Sequence, residues 1–261
     1  MIKTGLCSIT FRQLAAEQII DLVKQAGLDA IEWGGDIHVP PGNIATAEQV
    51  GQMTRDAGLA VSSYGSYYKI LDGQGGAQDF APVLESAVAL KTDLIRIWAG
   101  SLPPEKTDAA CRRKLIGECL KAADAAAQAN VRLAFEFHNN TLTQTNESAE
   151  QLLQDINHPA VCIYWQPIYW GPDMQYRLQG LHALKDSIAN LHVFYWLYDS
   201  MKESWNNRVD RRPLNEGAAD WKEYFSILFP SGDHYALLEF VRHDDPVQFL
   251  KDAEVLRSWV K

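Results

Sequence analysis

Cysteine is scarce in this chain, and acidic residues outnumber basic ones. Four cysteines occur among 261 residues, and none belongs to a CxxC pair, which argues against a thiolate zinc knuckle and against a disulfide framework. With 24 lysines and arginines against 33 acidic residues the net charge is −9, which argues against nucleic acid or an anionic membrane as the main partner. The few cysteines are expected to be buried free thiols in a reducing cytoplasm.

Apolar runs long enough to cross a bilayer are also missing. No stretch of about 18 uninterrupted apolar residues occurs, so no membrane span is predicted. The N-terminal segment lacks the basic region and apolar run of a signal peptide. The composition is 47% hydrophobic and 22% charged, which is typical of an ordinary soluble globular protein. These features predict a cytoplasmic protein.

Short apolar runs rich in β-branched and aromatic residues alternate along the chain with longer amphipathic stretches. Strands are predicted at Thr4–Ile9, Ala30–Trp33, Leu59–Tyr64, Leu94–Trp98, Arg132–Phe137, Val161–Trp165, Ile188–Trp196 and Tyr235–Phe240. Helices are predicted at Ala15–Ala26, Thr46–Ala57, Thr107–Ala129, Ser148–Ile156 and Pro246–Val260, and a flexible tip at Asp72–Gly76. Eight strands alternating with helices favour an α/β fold, a single (β/α)8 TIM barrel over residues 1–261. A doubly wound open sheet is the alternative, but its glycine fingerprint does not follow the first strand.

Four polar side chains stand in, or directly after, four consecutive apolar strands. They are Glu136 in AFEFHNN, Gln166 in CIYWQP, His192 in ANLHVFYW and Glu239 in LLEFVRHD. Because the ends of barrel strands meet at one face, these side chains can converge on one point. Two carboxylates, an imidazole and an amide oxygen suit one divalent ion, Mn, Mg, Co or Zn. The alternative is four separate buried polar groups held by hydrogen bonds, but their parallel placement favours the metal site.

Further strand-end residues predict the wall of a substrate pocket. The candidates are Glu32, Trp33, His38, Tyr64, Arg96, Trp98, His138, Tyr169 and Arg211. Arg96 and Trp98 are two residues apart and so share one side of their strand, as Glu136 and His138 do. Aromatic residues also gather at the strand ends, which suits stacking on the C–H faces of a sugar, although ordinary packing is the alternative. For His38 the alternative is a loop histidine without a ligand, and for Arg96 a salt bridge to a neighbouring carboxylate.

The loops after the last two predicted strands contain no glycine. They read YWLYDSMKESW and VRHDDPVQF, whereas barrels that bind phosphorylated sugars often place glycine-rich loops there. An unphosphorylated keto-sugar or sugar acid is therefore the favoured substrate. Arg211 and Arg212 in RRPLNEG could still bind a carboxylate or a phosphate.

Several segments of the chain resemble the xylose-isomerase-like TIM-barrel superfamily of sugar isomerases, epimerases and endonuclease IV relatives. The resemblance covers nearly the whole chain and rests on GLCSITFRQL, AGLDAIEWGGDIHVPPG, DLIRIWAG, LAFEFHNNTLTQT, YWQP, LHVFYW and LLEFVRHDDPVQFLKDA. It implies a metal held by Glu136, Gln166, His192 and Glu239, with the two glutamates as the acid/base pair of an epimerase. The sequence departs from the family pattern at Gln166, where an Asp is expected, and at Tyr169, where the epimerases have a His.

Three functions follow from this pattern. The first is a metal-dependent sugar isomerase or epimerase, in which Glu136 and Glu239 exchange a proton at a carbon next to a carbonyl. The second is a lyase or dehydratase, which begins with the same proton abstraction. The third is a non-catalytic sugar-binding subunit, which the neutral Gln166 favours. In each case the partner is a small sugar-derived molecule, and a homo-oligomer is left open.

Overall fold

The computed structural model describes residues 1–71, 79–171, 173–204, 208–230 and 232–260. The predicted tip Asp72–Gly76 and the end of the loop YWLYDSMKESW, at Trp205, lie outside the described residues. Helices in the described part are α1 Ala16–Ala26, α2 Ile44–Asp56, α3 Ala81–Leu90, α4 Ala109–Gln128, α5 Asn146–Ile156, α6 Met174–Leu184, α7 Ala218–Leu228 and α8 Pro246–Trp259. None of these helices combines the length and apolar character that a membrane span requires.

Eight parallel strands close into a barrel, which confirms the predicted (β/α)8 TIM fold. The strands are β1 Ile2–Cys7, β2 Ala30–Gly34, β3 Ala60–Lys69, β4 Leu94–Trp98, β5 Arg132–Glu136, β6 Val161–Trp165, β7 Ile188–Val193 and β10 His234–Leu238. Two further strands, β8 Tyr195–Tyr198 and β9 Val209–Arg212, form an antiparallel hairpin. Around the barrel the order is β1-β10-β7-β6-β5-β4-β3-β2, so the first and last barrel strands pair with each other.

Alternation along the strands separates two buried layers. Leu94, Ala134, Cys162 and Leu237 belong to one small buried cluster, and their strand neighbours belong to the large core that includes helix residues. Because side chains on a strand alternate between its two faces, residues two positions further on share the face of the small cluster. Arg96, Glu136 and Glu239 occupy those positions. The same alternation that fills the lower barrel therefore aims the polar residues at its C-terminal end.

A close approach between strands depends on Gly5 in β1. A Cβ at this position would lie 2.5 Å from the carbonyl oxygen of Ala30 in β2 and would also meet the Leu237 side chain of β10. A Cβ essentially never comes so near to a backbone oxygen. Glycine therefore allows β1 to fit between its two neighbours.

The structure corrects several predicted boundaries. The seventh barrel strand ends at Val193 rather than at Trp196, and Trp196 lies in the β8–β9 hairpin opposite Arg211. The third strand continues past Tyr64 to Lys69. Three helices, α3, α6 and α7, were not predicted. The predicted C-terminal stop of α1 is confirmed, because Gly27 adopts the left-handed conformation at φ 65°.

Candidate functional site

A cavity of about 900 Å³ opens at the C-terminal ends of the barrel strands. Eight of the predicted site residues line it: Arg96, Trp98, Glu136, His138, Gln166, Tyr169, Arg211 and Glu239. The hairpin adds Trp196, Val209 and Asp210, and the remaining lining residues are Ile9, Arg12, Tyr67, Asn139, Asn140, Phe240 and His243. The size and the mixed polar and aromatic lining suit a small-molecule site.

His192 lies fully buried among three carboxylates. Its Nδ1 is 3.3 Å from Glu136 Oε1 and 3.4 Å from Glu239 Oε2, and its Nε2 is 3.4 Å from Glu32 Oε1. Nδ1 is buried without a hydrogen-bond partner. Because a buried polar atom rarely lacks a partner, the position between the two carboxylates calls for a cation or a proton.

The donor set fits a divalent cation. One ligand atom each from Glu136, His192 and Glu239 lies within 4.8 Å of the others. Gln166 is buried and lines the same cavity, and its Nε2 donates to the Phe137 carbonyl. Because the amide nitrogen is engaged in this way, the amide oxygen is the atom of Gln166 that remains available as a ligand. Carboxylate oxygens, an imidazole nitrogen and an amide oxygen are ordinary ligands of Mg²⁺, Mn²⁺, Co²⁺ and Zn²⁺.

Arg96 is buried between two of the carboxylates. Its Nε lies 2.9 Å from Glu32 Oε1 and its other end forms an ion pair with Glu136 Oε2. The indole N–H of Trp98 also donates to Glu136 Oε2, at 2.6 Å. Glu136 therefore uses Oε2 for Arg96 and Trp98 and turns Oε1 towards His192.

The two glutamates of the site differ in their electrostatic surroundings. Burial alone would raise the pKa of Glu136, but Arg96 and His192 outweigh burial and hold the pKa at about 2. For Glu239, burial and the neighbouring Glu136 outweigh the attraction of His192 and raise the pKa to about 7. Burial would lower the pKa of His192, yet Glu239 and Glu32 raise it above its ordinary value, so a proton competes with a cation for the imidazole.

Glu32 lies behind this set and does not line the cavity. It accepts hydrogen bonds from Ser63 Oγ at 2.8 Å and from Cys7 Sγ at 3.2 Å, in addition to its ion pair with Arg96. Cys7, Glu32 and His192 also form a group of close potential ligands. Burial raises the pKa of the Cys7 thiol, and the guanidinium adjoins Glu32, so this group is a hydrogen-bond network rather than a second cation site.

Three predicted pocket residues besides Glu32 do not reach the cavity. The indole N–H of Trp33 donates to Thr54, and the Tyr64 hydroxyl donates to the carbonyl of Val39. His38 bonds Ser8 Oγ through Nδ1 at 3.0 Å. The geometry gives Trp33, His38 and Tyr64 a structural role in holding the loop after β2 against the barrel.

His138 offers a base to the cavity. Its Nδ1 lies 2.7 Å from the carbonyl oxygen of Asn139, and its ring rests against Trp98 at a centroid distance of 4.9 Å. A carbonyl only accepts hydrogen bonds, so the neutral imidazole carries its proton on Nδ1. Nε2 is then the unprotonated nitrogen and can accept a proton.

The segment after β10 is strained. Phe240, His243 and Asp244 have φ values of 47°, 60° and 49°, in the left-handed region that residues with a Cβ rarely adopt. Each such residue costs on the order of 1–2 kcal/mol. The Phe240 amide donates to Thr10 Oγ1 at 2.9 Å, which helps to hold the strained backbone. Strain of this kind is concentrated at functional sites.

Sequence reasoning missed Arg12, Asn139, Asn140, Asp210, Phe240 and His243 as lining residues. The signal for Arg12 and Phe240 was their position near the C-terminal end of a predicted strand, three residues past Ile9 and at the last residue of Tyr235–Phe240, where barrel enzymes carry their sites. Asp210 reaches the cavity on a hairpin whose position the sequence pattern did not reveal.

Comparison with known proteins identifies the family. The chain belongs to the xylose isomerase-like TIM barrel family, whose model matches residues 20–259. A 3-dehydroshikimate dehydratase of Bacillus anthracis is 26% identical over 264 residues, which cover 93% of this chain and 92% of that protein.

Solved structures share the fold. A probable 3-DHS dehydratase from Bacillus anthracis has a TM-score of 0.80 at 21% identity, covering 98% of this chain and 99% of its own. A xylose isomerase-like TIM barrel protein from Mycobacterium smegmatis in complex with magnesium has a TM-score of 0.76 at 15% identity, and the match covers 98% of this chain and 96% of that chain. The 3-keto-D-glucoside 4-epimerase of E. coli has a TM-score of 0.70 at 16% identity, and the match covers 99% of this chain and 100% of that chain.

Proposed function

We propose that this protein is a metal-dependent dehydratase that removes a proton next to a carbonyl of a hydroxylated keto compound and eliminates water. The observation that carries the proposal is the unpartnered Nδ1 of the buried His192, which lies between Glu136 and Glu239, the two glutamates that line the cavity. Glu136, Gln166, His192 and Glu239 would hold one divalent cation, Mn, Mg, Co or Zn. When bound, the cation supplies electrophilic assistance to the substrate carbonyl oxygen.

Elimination needs one base, and His138 fits that role. Its unprotonated Nε2 accepts the proton from the carbon next to the carbonyl, and the C–H electron pair becomes the new double bond. Hydroxide departs from the adjacent carbon, and His138 returns the proton to it, so that water leaves and the enzyme is restored. Trp98 supports the imidazole through ring contact, and Asn139 fixes its tautomer.

A sugar isomerase or epimerase is the second candidate, because the two glutamates of the site flank one point. Epimerisation needs a second group that delivers a proton to the opposite face of the carbon. Glu136 suits that task poorly, since Arg96 and Trp98 both donate to its Oε2 and its pKa is about 2. The similarity to a dehydratase over most of the chain also favours elimination.

The test measures proton exchange and water loss in the same variants. We expect His138→Asn to lower both the exchange of substrate hydrogen with D₂O and dehydration of 3-dehydroshikimate by about 10²–10⁴-fold, as loss of a general base does. His182→Asn, on the exposed side of α6, is the matched control and should behave as the unaltered protein. Turnover of a 3-keto-glucoside with retained water, but not of 3-dehydroshikimate, would instead establish the epimerase.

The glutamates are tested separately at saturating metal, with occupancy measured. Glu136→Gln and Glu239→Gln each keep an oxygen that can bind the cation and lose the negative charge. We expect each variant to keep its fold, because the substitutions are nearly isosteric, and to retain exchange and dehydration once the cation is bound, because the proposed base is His138. Loss of exchange with the cation bound would instead make that glutamate the base and contradict the role of His138.

A further inference from the structure

We propose that the rim of the cavity contains a carboxylate subsite formed by Arg12 and Arg211 around the ring of Phe240. The substrate would then be a hydroxylated keto acid whose carboxylate is held at the rim while its carbonyl faces the metal ligands. This inference rests on the proposed function in one respect, namely that the cavity is where the substrate binds.

One aromatic ring brings the two guanidinium groups together. The guanidinium carbon of Arg211 lies 4.6 Å from the Phe240 ring centroid and that of Arg12 lies 5.4 Å from it. Arg211 also lies 5.6 Å from the ring of Trp196 on the hairpin. All four residues line the cavity that contains Glu136 and Glu239. Stacking on a ring fixes the plane of a guanidinium and leaves its edge free to meet a planar carboxylate.

Each arginine is held in place but keeps donors for a ligand. Arg12 bonds Asp36 through Nε at 2.5 Å and the Tyr67 hydroxyl through one terminal nitrogen at 2.6 Å. Arg211 bonds Asp244 through one terminal nitrogen at 2.8 Å. Among the residues that the structure describes, Nε and the other terminal nitrogen of Arg211 have no hydrogen-bond partner. A guanidinium has five N–H donors, so both side chains retain the capacity to bind an anion in a fixed orientation.

The adjacent Arg212, unlike Arg211, is not oriented towards the cavity. Arg211 and Arg212 are neighbours in β9, so their side chains leave opposite faces of the hairpin. Arg212 bonds Asp210 at 3.2 Å and Glu216 at 2.9 Å and does not line the cavity. Because Arg212 engages Asp210, it also reduces the negative charge beside the rim.

A bound cation would remove the net negative charge around His192. Arg96 offsets one of the carboxylates Glu32, Glu136 and Glu239, and a divalent cation would offset the other two, so they would no longer repel an anion at the rim. The strained segment after β10 carries both Phe240 and Asp244, the residues that orient the two arginines. Backbone strain is therefore located at the residues that build this subsite.

The test compares carboxylates with their uncharged counterparts by calorimetric binding to the metal-loaded protein. The probes are 3-dehydroshikimate with its methyl ester, measured in the His138→Asn background so that the substrate is not consumed, and 3,4-dihydroxybenzoate with catechol. We expect the carboxylate of each pair to bind at least about tenfold more tightly. Arg12→Gln and Arg211→Gln should each weaken the carboxylates about tenfold or more and leave the uncharged probes within about twofold.

Arg132→Gln, at the exposed N-terminal end of β5 and so at the opposite end of the barrel, is the matched control and should leave both classes of probe unchanged. Circular dichroism establishes that each variant is folded. Equal weakening of carboxylate and ester in Arg211→Gln, or no preference for carboxylates in the unaltered protein, would overturn the subsite. A stronger dependence on Arg211 for glucose 6-phosphate than for the carboxylates would also overturn it. Because the readout is binding, a failure of the dehydration assay with intact carboxylate preference would count against the proposed reaction and not against the subsite.

Discussion

Gln166 is a neutral member of the proposed metal-ligand set, at a position where an Asp is expected from the family pattern. Replacement by Asp adds a negatively charged oxygen, so we expect Gln166→Asp to bind Mn²⁺ about tenfold more tightly, since ligand charge tunes affinity for hard cations. Both the charge and the side-chain length change in this variant. Gln166→Asn has the same length as the Asp variant without the charge and serves as its control. Calorimetric titration of metal-free protein measures the affinities, and equal affinities for the two variants would show that residue 166 does not contact the cation.

A second prediction for a single residue concerns the carboxylate of Glu32. The carboxylate is fully buried and is one of two partners of the buried Arg96. Glu32→Gln leaves Arg96 with one compensating charge, so we expect the free energy of unfolding to fall by about 3 kcal/mol, in the range found when buried ion pairs are broken. Urea unfolding measures this value.

Glu216→Gln is the matched control for Glu32, because Glu216 also pairs with an arginine but does so at the exposed surface. Exposed pairs contribute little, so the control should unfold at nearly the same urea concentration as the unaltered protein. Similar behaviour of the two variants would mean that the network around Arg96 carries no special stability.

Single residues also show what the sequence could and could not reveal about the site. A charged side chain inside an apolar alternation is costly to bury, so Glu136, His192 and Glu239 were visible as site candidates, and the structure brings them together. Glu32 and Trp33 were both assigned to the pocket, but adjacent strand residues point to opposite faces. The left-handed backbone that presents Phe240 depends on tertiary contacts such as the one with Thr10, which no local pattern encodes.

Among the elements, β1 and α4 provide a matched pair of glycines. Gly5→Ala places a methyl group against the backbone of β2, so we expect the free energy of unfolding to fall by about 1–3 kcal/mol, as overpacking does. Gly117 lies in α4, and a Cβ there would meet nothing within 4 Å. Gly117→Ala should instead raise the free energy of unfolding by about 0.5–1 kcal/mol, because alanine loses less backbone entropy than glycine when the helix folds. Thermal and urea unfolding would contradict the strand argument if both substitutions acted in the same direction.

Most of the barrel was predictable because its strands are short, apolar and separated by amphipathic helices. The end of β7 was not, since the apolar run ANLHVFYW continues through the break at Phe194 into the hairpin. Helix α3 was missed because APVLESAVAL is too uniformly apolar to show a clear amphipathic period. The local pattern identifies where apolar surface is buried, but tertiary pairing decides where a strand stops.

For the whole molecule, ligand stabilisation tests the choice between sugar acids and sugar phosphates. The segments YWLYDSMKESW after β7 and VRHDDPVQF after β10 contain no glycine, whereas glycine amides there often cradle a phosphate. The first glycine after β7 is Gly217, where a Cβ would lie 2.5 Å from the Tyr195 side chain, so this glycine packs against an aromatic ring. We expect the melting temperature of the metal-loaded protein to rise more with gluconate or glucose than with glucose 6-phosphate at equal concentration. A consistently larger rise with phosphate esters, repeated across several sugars, would contradict this expectation.

The β8–β9 hairpin has a consequence for how this molecule can change over generations. In the described residues its ladder pairs only with itself, while Trp196, Val209, Asp210 and Arg211 reach the cavity. The barrel strands keep their own hydrogen bonds whatever side chains the hairpin carries. The barrel therefore maintains the fold, while the hairpin side chains can change the contacts with a substrate. A mutant library confined to the hairpin should yield new substrate preferences with few unfolded members.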